Sequence, residues 1–373
     1  MEVIPINILQ VITGNDNGGG GNHVINICLN NISEMKCSLC LIGDGVLYER
    51  AKELHIPATY YSFKELLGDK LGEYIEKNNI DIVNFHGAKA NFLYFMISHK
   101  IKVPCVVTIH SDYRYDFINN KFKRIFFTPL SILGLKKHKN YICVSQYLKN
   151  LISKKNFKGN KYVIPNGISI EKTYLKQDRE SIRNMYNVSK NEFLYSMVGR
   201  MHPIKNHDGL IDAFFKLQIE IRDIKLMLLG FGDLEETLKE KVEKLNIQDK
   251  VIFAGFKENI LDYINASDVG VLTSFNEGGA PPLAVLETAL MKKTIICSKV
   301  GDMESIISEN EGFLVNPYDI NDIHDKMRWA YMNKEKIELM GENLYNKVIH
   351  EFSLDNFWER YFDAYSKILS GVN

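Results

Sequence analysis

The chain has 373 residues, 45% hydrophobic, 25% charged and 11% aromatic, with 25 Gly and 9 Pro, which excludes disorder, collagen and small disulfide scaffolds. At roughly 150 residues per domain, that length asks for two domains rather than one core. The 46 basic and 46 acidic side chains cancel, so no global field argues for nucleic acid as the main partner. Apolar, β-rich runs then alternate with longer segments of helical period, the βαβ pattern. The predicted strands of the first half are Ile6–Thr13, Cys37–Ile42, Ala58–Tyr61, Ile80–Phe85, Cys105–Ile109, Tyr141–Val144 and Lys161–Ile164. Near-continuous hydrophobicity, as in Val103-Pro-Cys-Val-Val-Thr-Ile-His110, fits strands buried on both faces of a parallel sheet. A polar stretch after Pro165-Asn166-Gly167 reads as an interdomain linker, 171–192. Strands at Phe193–Val198, Lys225–Leu229, Lys250–Phe253, Val269–Thr273, Thr294–Cys297 and Phe313–Val315 then predict a second doubly wound α/β domain.

The cysteines at 28, 37, 40, 105, 143 and 297 sit mostly among Val, Ile and Leu, where a thiol behaves as a small hydrophobe. Cys37-Ser-Leu-Cys40 is a lone CxxC inside a predicted strand and reads as core rather than as zinc or redox chemistry. Met1-Glu2-Val3-Ile4-Pro5 lacks the basic lead and apolar run of a signal peptide, so the expected location is the cytoplasm. The stretch Ile125–Leu135 is interrupted by Thr128, Pro129, Ser131 and Gly134, and falls short of the roughly 20 residues of a membrane helix. Charge is nonetheless unevenly spread. Phe117 to Lys161 carries eleven Lys and Arg and no acidic residue, and the rest of the chain carries a matching negative excess. Phe117, Phe122, Phe126 and Phe127 interleave with Lys121, Lys123 and Arg124, which suits a helix lying on an anionic membrane surface.

Ligands of doubly wound sheets bind beyond the carboxyl ends of the strands, and the unusual residues of this chain lie there. Gly18-Gly19-Gly20-Gly21 follows the first strand and opens a helix, where backbone amides can approach an anion with no Cβ in the way. The spacing is not G-x-G-x-x-G, which argues against a nicotinamide site. His86 and His110 each end a strand, and no third ligand at close spacing supports a metal. Val198-Gly199-Arg200 leads to Lys205-Asn206-His207, where Asn206 is placed to cap a helix. Arg200 and Lys205 then offer a diphosphate two cations beside free amides. Glu277-Gly278-Gly279 precedes Pro281-Pro282, suited to a first helical turn, and Glu287 interrupts an apolar helix, where a carboxylate needs a partner such as a sugar hydroxyl.

Taken together, Gly18–Gly21, Thr108-Ile-His110, Ile164-Pro-Asn-Gly167, Val-Gly-Arg200 with Lys205, Leu229-Gly-Phe-Gly-Asp233, Ser267-Asp268 and Glu277 to Glu287 resemble, in order, the retaining GT-B glycosyltransferases of family 4. The resemblance implies two Rossmann-like domains facing a cleft. These are an acceptor-binding domain at 1–170, a nucleotide-sugar-binding domain at 193–352, and a C-terminal helix, 353–373, crossing back to the first. It implies that Arg200 and Lys205 hold the donor diphosphate, Glu287 the ribose, and Glu277 with Gly278 and Gly279 the donor sugar, with His110 on its other side. Gly18, Gly19, Gly20, Gly199 and Gly255 complete the implied binding set. There is no D-x-D, and the implied reaction needs no metal or other cofactor, because Arg and Lys neutralise the leaving group. The implied donor is a nucleotide-sugar, UDP favoured over GDP. The implied acceptor is a saccharide or lipid-linked glycan of a cell-surface polymer, with the enzyme peripheral at the inner face of the membrane. Two departures stand out. Nine residues separate Glu277 and Glu287 where the family has seven, and Asn84-Phe85-His86 replaces an H-x-H. The spacing supports one alternative, an inert GT-B binder of glycan or partner protein, and the unread acceptor leaves another, a same-fold sugar-nucleotide epimerase or a glycogen- or sucrose-type synthase.

Overall fold

The computed structural model describes residues 5–16, 18–112, 121–170, 174–278 and 281–371, without the side chains of 121–128. The chain forms two compact units, Met1–Gly167 with Leu354–Asn373, and Ile168–Ser353.

Unit 1 contains β1 (Ile6–Thr13), β2 (Met35–Ile42), β3 (Ala58–Tyr61), β4 (Ile82–His86), β5 (Cys105–Ile109), β6 (Asn140–Cys143) and β7 (Asn160–Val163). They form one parallel sheet in the order β3-β2-β1-β4-β5-β6-β7. The order reverses direction between β1 and β4, the switch point at which such sheets bind ligands. β1 shows why the strands are apolar on both faces: Ile8 packs in one core cluster and Leu9 and Val11 in another. Cys37 and Cys40 fall in those same two opposed clusters, so the CxxC pair divides between the faces of β2. The helix Leu354–Ser370 covers the Ile8 face, burying Phe357, Trp358, Tyr361, Ala364, Tyr365 and Ile368 at helical spacing. The chain therefore returns to its first domain. Trp358 Nε1 donates to the Asn26 carbonyl at 2.7 Å and sets the register of that return.

Unit 2 contains β8 (Phe193–Val198), β9 (Ile224–Leu229), β10 (Val251–Gly255), β11 (Val269–Leu272), β12 (Ile295–Ser298) and β13 (Gly312–Val315). The sheet is again parallel, in the order β10-β9-β8-β11-β12-β13, with its switch point between β8 and β11. One correction concerns the expected linker at 171–192. It contains a helix, Arg179–Met185, capped by Asp178 and belonging to unit 2. Arg179 donates to the carbonyls of Asn265, Ala266 and Ser267 and, at 2.6 Å, to Asp268, which also lies 3.5 Å from Arg183 and accepts from the Leu194 amide. The polar residues that read as linker thus anchor β8 to β11. Asp268 and Arg179 are half-buried and Arg183 is buried, so removing the carboxylate leaves the Arg183 guanidinium without its counter-charge. Asp268→Ala should accordingly lower unfolding stability by about 3–5 kcal/mol in urea, and a loss below about 1 kcal/mol would contradict that role.

Candidate active site

In unit 2, the carboxyl ends of β8 and β11 lead into two loops that are tied together. The Phe275 amide donates to the Ile204 carbonyl at 2.8 Å, and Thr273 Oγ1 donates to the Asn206 carbonyl at 3.1 Å. Asn206, with φ of 57°, caps the helix His207–Glu220 by accepting from the Gly209 amide, while its own amide group donates to the Pro317 carbonyl. These ties bring Lys205 Nζ to 2.6 Å from Glu277 Oε1, which also accepts from Ser274 Oγ at 2.5 Å. Lys205 and Glu277 side chains are only 23% and 11% exposed, so the pair is poorly screened. The Lys205 stem crosses Gly199, where an added Cβ would lie 3.8 Å from it. Gly230, at φ of 134°, lets the next loop approach so closely that a Cβ there would sit 2.2 Å from the Gly199 carbonyl. Arg200 stands exposed beside this arrangement, and Gly255, also at positive φ, ends β10 and accepts from the Gly230 amide.

Glu287 lies on the helix Leu283–Leu290, half-buried and with no hydrogen-bond or ionic partner among the described residues. Burial pushes its carboxyl up to about 7. The helix starts at Leu283 with Pro282 as its cap, so the two prolines precede the first turn instead of forming it. Gly278 is described, and Gly279 lies outside the described residues, as does Ala280.

Unit 1 holds a second cluster at its switch point. His86, at the end of β4, places Nδ1 at 2.9 Å from His110 Nε2 and Nε2 at 2.8 Å from Gln10 Oε1. His23, on the helix Gly19–Cys28, lies 2.8 Å from Asn166 Oδ1 and 2.6 Å from the Tyr361 hydroxyl, its ring edge-on to His110 at 4.7 Å between centroids. Desolvation lowers the pKa of His23 and His86 well below the ordinary value and that of His110 to about 4, so all three are neutral at pH 7. The glycine loop differs from expectation. The Asp16 carboxylate accepts from the amides of Gly18 (3.0 Å) and Gly21 (3.2 Å), an internal anion where a bound one was expected. A Cβ at Gly20 would meet the same carboxylate at 2.9 Å, whereas Gly19 faces open space.

Residues 178–347 match the model for Glycosyl transferases group 1, and residues 37–172 match that for Glycosyltransferase Family 4. The chain belongs to the family 4 GT-B glycosyltransferases. Among relatives, the UDP-Gal:alpha-D-GlcNAc-diphosphoundecaprenol alpha-1,3-galactosyltransferase of Escherichia coli is 27% identical over 300 residues, 78% of this chain and 76% of that one. The N-acetyl-alpha-D-glucosaminyl L-malate synthase of Bacillus anthracis is 25% identical over 329 residues, 83% and 81% of the two chains. The crystal structure of Anabaena Alr3699/HepE in complex with UDP superposes with a TM-score of 0.82 at 18% identity, covering 97% of this chain and all of that one.

For a family 4 glycosyltransferase, the structure brings Lys205 and Glu277 into direct contact, runs the Lys205 stem past Gly199, puts Arg200 and Gly278 in the flanking loops and Glu287 on the adjoining helix. Ser274, Gln10, His23 and Tyr361 were not anticipated. Part of the signal was present all the same, because Gln10, Asn84 and Thr108 are polar residues in the buried middle of mostly apolar strands, and Gln10 lies opposite Asn84 in register. His86, whose role the missing H-x-H weakened, is the hydrogen-bond partner of His110.

Proposed function

We propose that this glycosyltransferase moves a sugar from a nucleotide-sugar, UDP favoured over GDP, to a hydroxyl of a saccharide or lipid-linked glycan, with retained anomeric configuration and without a metal. The observation that carries the reading is the contact of Lys205 with Glu277 at the carboxyl ends of β8 and β11. Departure of a nucleoside diphosphate builds negative charge, and Lys205, Arg200 and the N-terminus of the helix His207–Glu220 form a fixed positive environment for it. Glu277 and the Gly278 amide are left to meet the sugar, and the unpartnered Glu287 carboxylate to accept from ribose hydroxyls. In unit 1, His110 is the group assigned to a hydroxyl of the transferred sugar. The sugar carbon's bond to the diphosphate oxygen breaks as the acceptor oxygen bonds on the same face, and the acceptor proton passes to the departing phosphate oxygen. The UDP-Gal and diphosphoundecaprenol in the name of the Escherichia coli relative support the UDP and lipid-linked readings.

The test is nucleotide release from UDP-, GDP- and ADP-sugars in EDTA, with soluble saccharides and undecaprenyl-diphosphate-linked saccharides as acceptors and the product's anomeric proton read by NMR. The expected result is UDP release coupled to an α-linked product from an α-linked donor. An inverted linkage, or a strict metal requirement, overturns the mechanism.

Docking at an anionic membrane is part of the proposal. Lys136, Lys137, Lys139, Lys154, Lys155 and Lys158 are exposed and have no acidic partner among the described residues. Phe117, Phe122, Phe126 and Phe127, the aromatic part of the expected surface, lie outside the residues whose side chains are described. Among the described residues no helix is long and apolar enough to cross a membrane. At about 1 kcal/mol per lysine near such a surface, Gln at 136, 139, 154, 155 and 158 together should weaken co-sedimentation with phosphatidylglycerol vesicles by at least about a hundredfold at low salt. Unchanged co-sedimentation would contradict docking through this face.

A further inference from the structure

Three neutral histidines in one buried cluster pose a question of direction, since each ring has one N–H and one lone pair. The surroundings answer it. The Gln10 side-chain amide donates from Nε2 to the Tyr365 hydroxyl at 3.1 Å, which turns Oε1 toward His86 Nε2. Asn84 donates to the same hydroxyl at 3.0 Å and accepts from Thr108 Oγ1 at 3.0 Å, which holds Tyr365 from a second strand. An amide oxygen can only accept, so the His86 proton resides on Nε2 and its Nδ1 is a lone pair. His110 then donates to it from Nε2 across 2.9 Å, and its own Nδ1 is left unprotonated. His23 does not compete for that nitrogen, because its Nδ1–H donates to Asn166 Oδ1 and its Nε2 accepts from Tyr361. His110 Nδ1 is the one ring nitrogen of the trio with no partner among the described residues.

We propose that Gln10 and His86 are positioning residues that hold His110 as its Nε2–H tautomer, so that it presents a hydrogen-bond acceptor to a hydroxyl of the transferred sugar. The inference rests on the reading in which His110 meets that sugar. It adds the reason for a buried glutamine and histidine behind it, and explains how a single histidine at the end of β4 serves without an H-x-H. The C-terminal helix enters the same network through Tyr365, 355 residues from Gln10 in the chain. Removing His86 frees the tautomer, and a ring with a proton on Nδ1 offers the sugar hydroxyl a second donor where an acceptor is needed.

The experiment is a long-range proton–nitrogen correlation on the full-length protein labelled with 15N-histidine, alongside turnover. The wild type is expected to show His110 protonated at Nε2 alone. His86→Leu should show both tautomers and lose about tenfold in kcat, the size of one neutral hydrogen bond, with little change in acceptor KM. His86→Gln keeps the tautomer and most of the rate, because its amide oxygen can face His110 while its nitrogen faces Gln10. A proton on His110 Nδ1 in the wild type, or an unaltered tautomer in His86→Leu, overturns the proposal, and the first of these needs no variant to fold. A tautomer that shifts as expected while turnover stays at the wild-type value keeps the relay and removes His110 from the reacting sugar.

Discussion

Lys205→Ala is expected to lower turnover about 10²–10³-fold, the usual loss when one preorganised charge-stabilising group is removed from a transition state. The variant deletes a cation fixed at 2.6 Å from Glu277 and leaves that carboxylate, 11% exposed, with Ser274 but without its counter-charge. Both effects act on the leaving diphosphate, the first by withdrawing positive charge and the second by unmasking negative charge. Stability should change little in comparison, because the lysine head lies on the loop and its stem rests on Gly199 rather than in a core cluster. Turnover within threefold of wild type, measured as nucleotide release, would take Lys205 out of the site.

Glu287→Gln is expected to have opposite effects on activity and stability. A carboxyl whose pKa is about 7 when folded, against 4.5 for the unperturbed group, binds its proton more tightly in the folded state. The folded protein is therefore penalised as pH rises from about 4.5, and the full penalty is present above about 7, amounting to at most about 3 kcal/mol. Glutamine carries no charge to desolvate. The variant should be more stable than wild type at pH 8 and no more stable at pH 4.5, a difference readable from urea unfolding at the two values. Nucleotide affinity should fall about tenfold or more at pH 8, because the ribose loses a charged acceptor. A variant destabilised at pH 8, or one that binds nucleotide as tightly as wild type, would contradict the assignment of Glu287 to the ribose.

Much of the fold was readable because parallel strands buried on both faces leave long apolar runs. Ile6–Thr13, Ala58–Tyr61, Cys105–Ile109 and Phe193–Val198 form as expected, and the other strands shift at their ends by one or two residues. The second-domain loops were readable too, because glycines and charges directly after a strand have few structural uses. The helix Arg179–Met185 escaped notice because its anchors, Arg179 and Arg183, pair with Asp268 about ninety residues on, a distance over which local polarity says only that the segment is not core. Asp16 in the glycine loop looked like one more polar turn residue, although a carboxylate between glycines is placed to take their amides. In the histidine cluster, His86 and His110 are legible as strand ends, whereas His23, Gln10, Tyr361 and Tyr365 are not. Its tyrosines arrive from the far end of the chain, Tyr361 lying 338 residues from His23, and nothing local to either residue announces the other.

In the proposed reaction, unit 2 holds a nucleoside diphosphate through Lys205 and Arg200 without a metal. Calorimetric titration of UDP into the full-length protein in EDTA, repeated with Lys205→Ala, tests it most directly. Saturable binding at one site is expected in EDTA, weakened at least about tenfold in the variant, a loss of 1.4 kcal/mol or more. Binding of neither UDP nor GDP in EDTA, or binding equal in the two proteins, would contradict it.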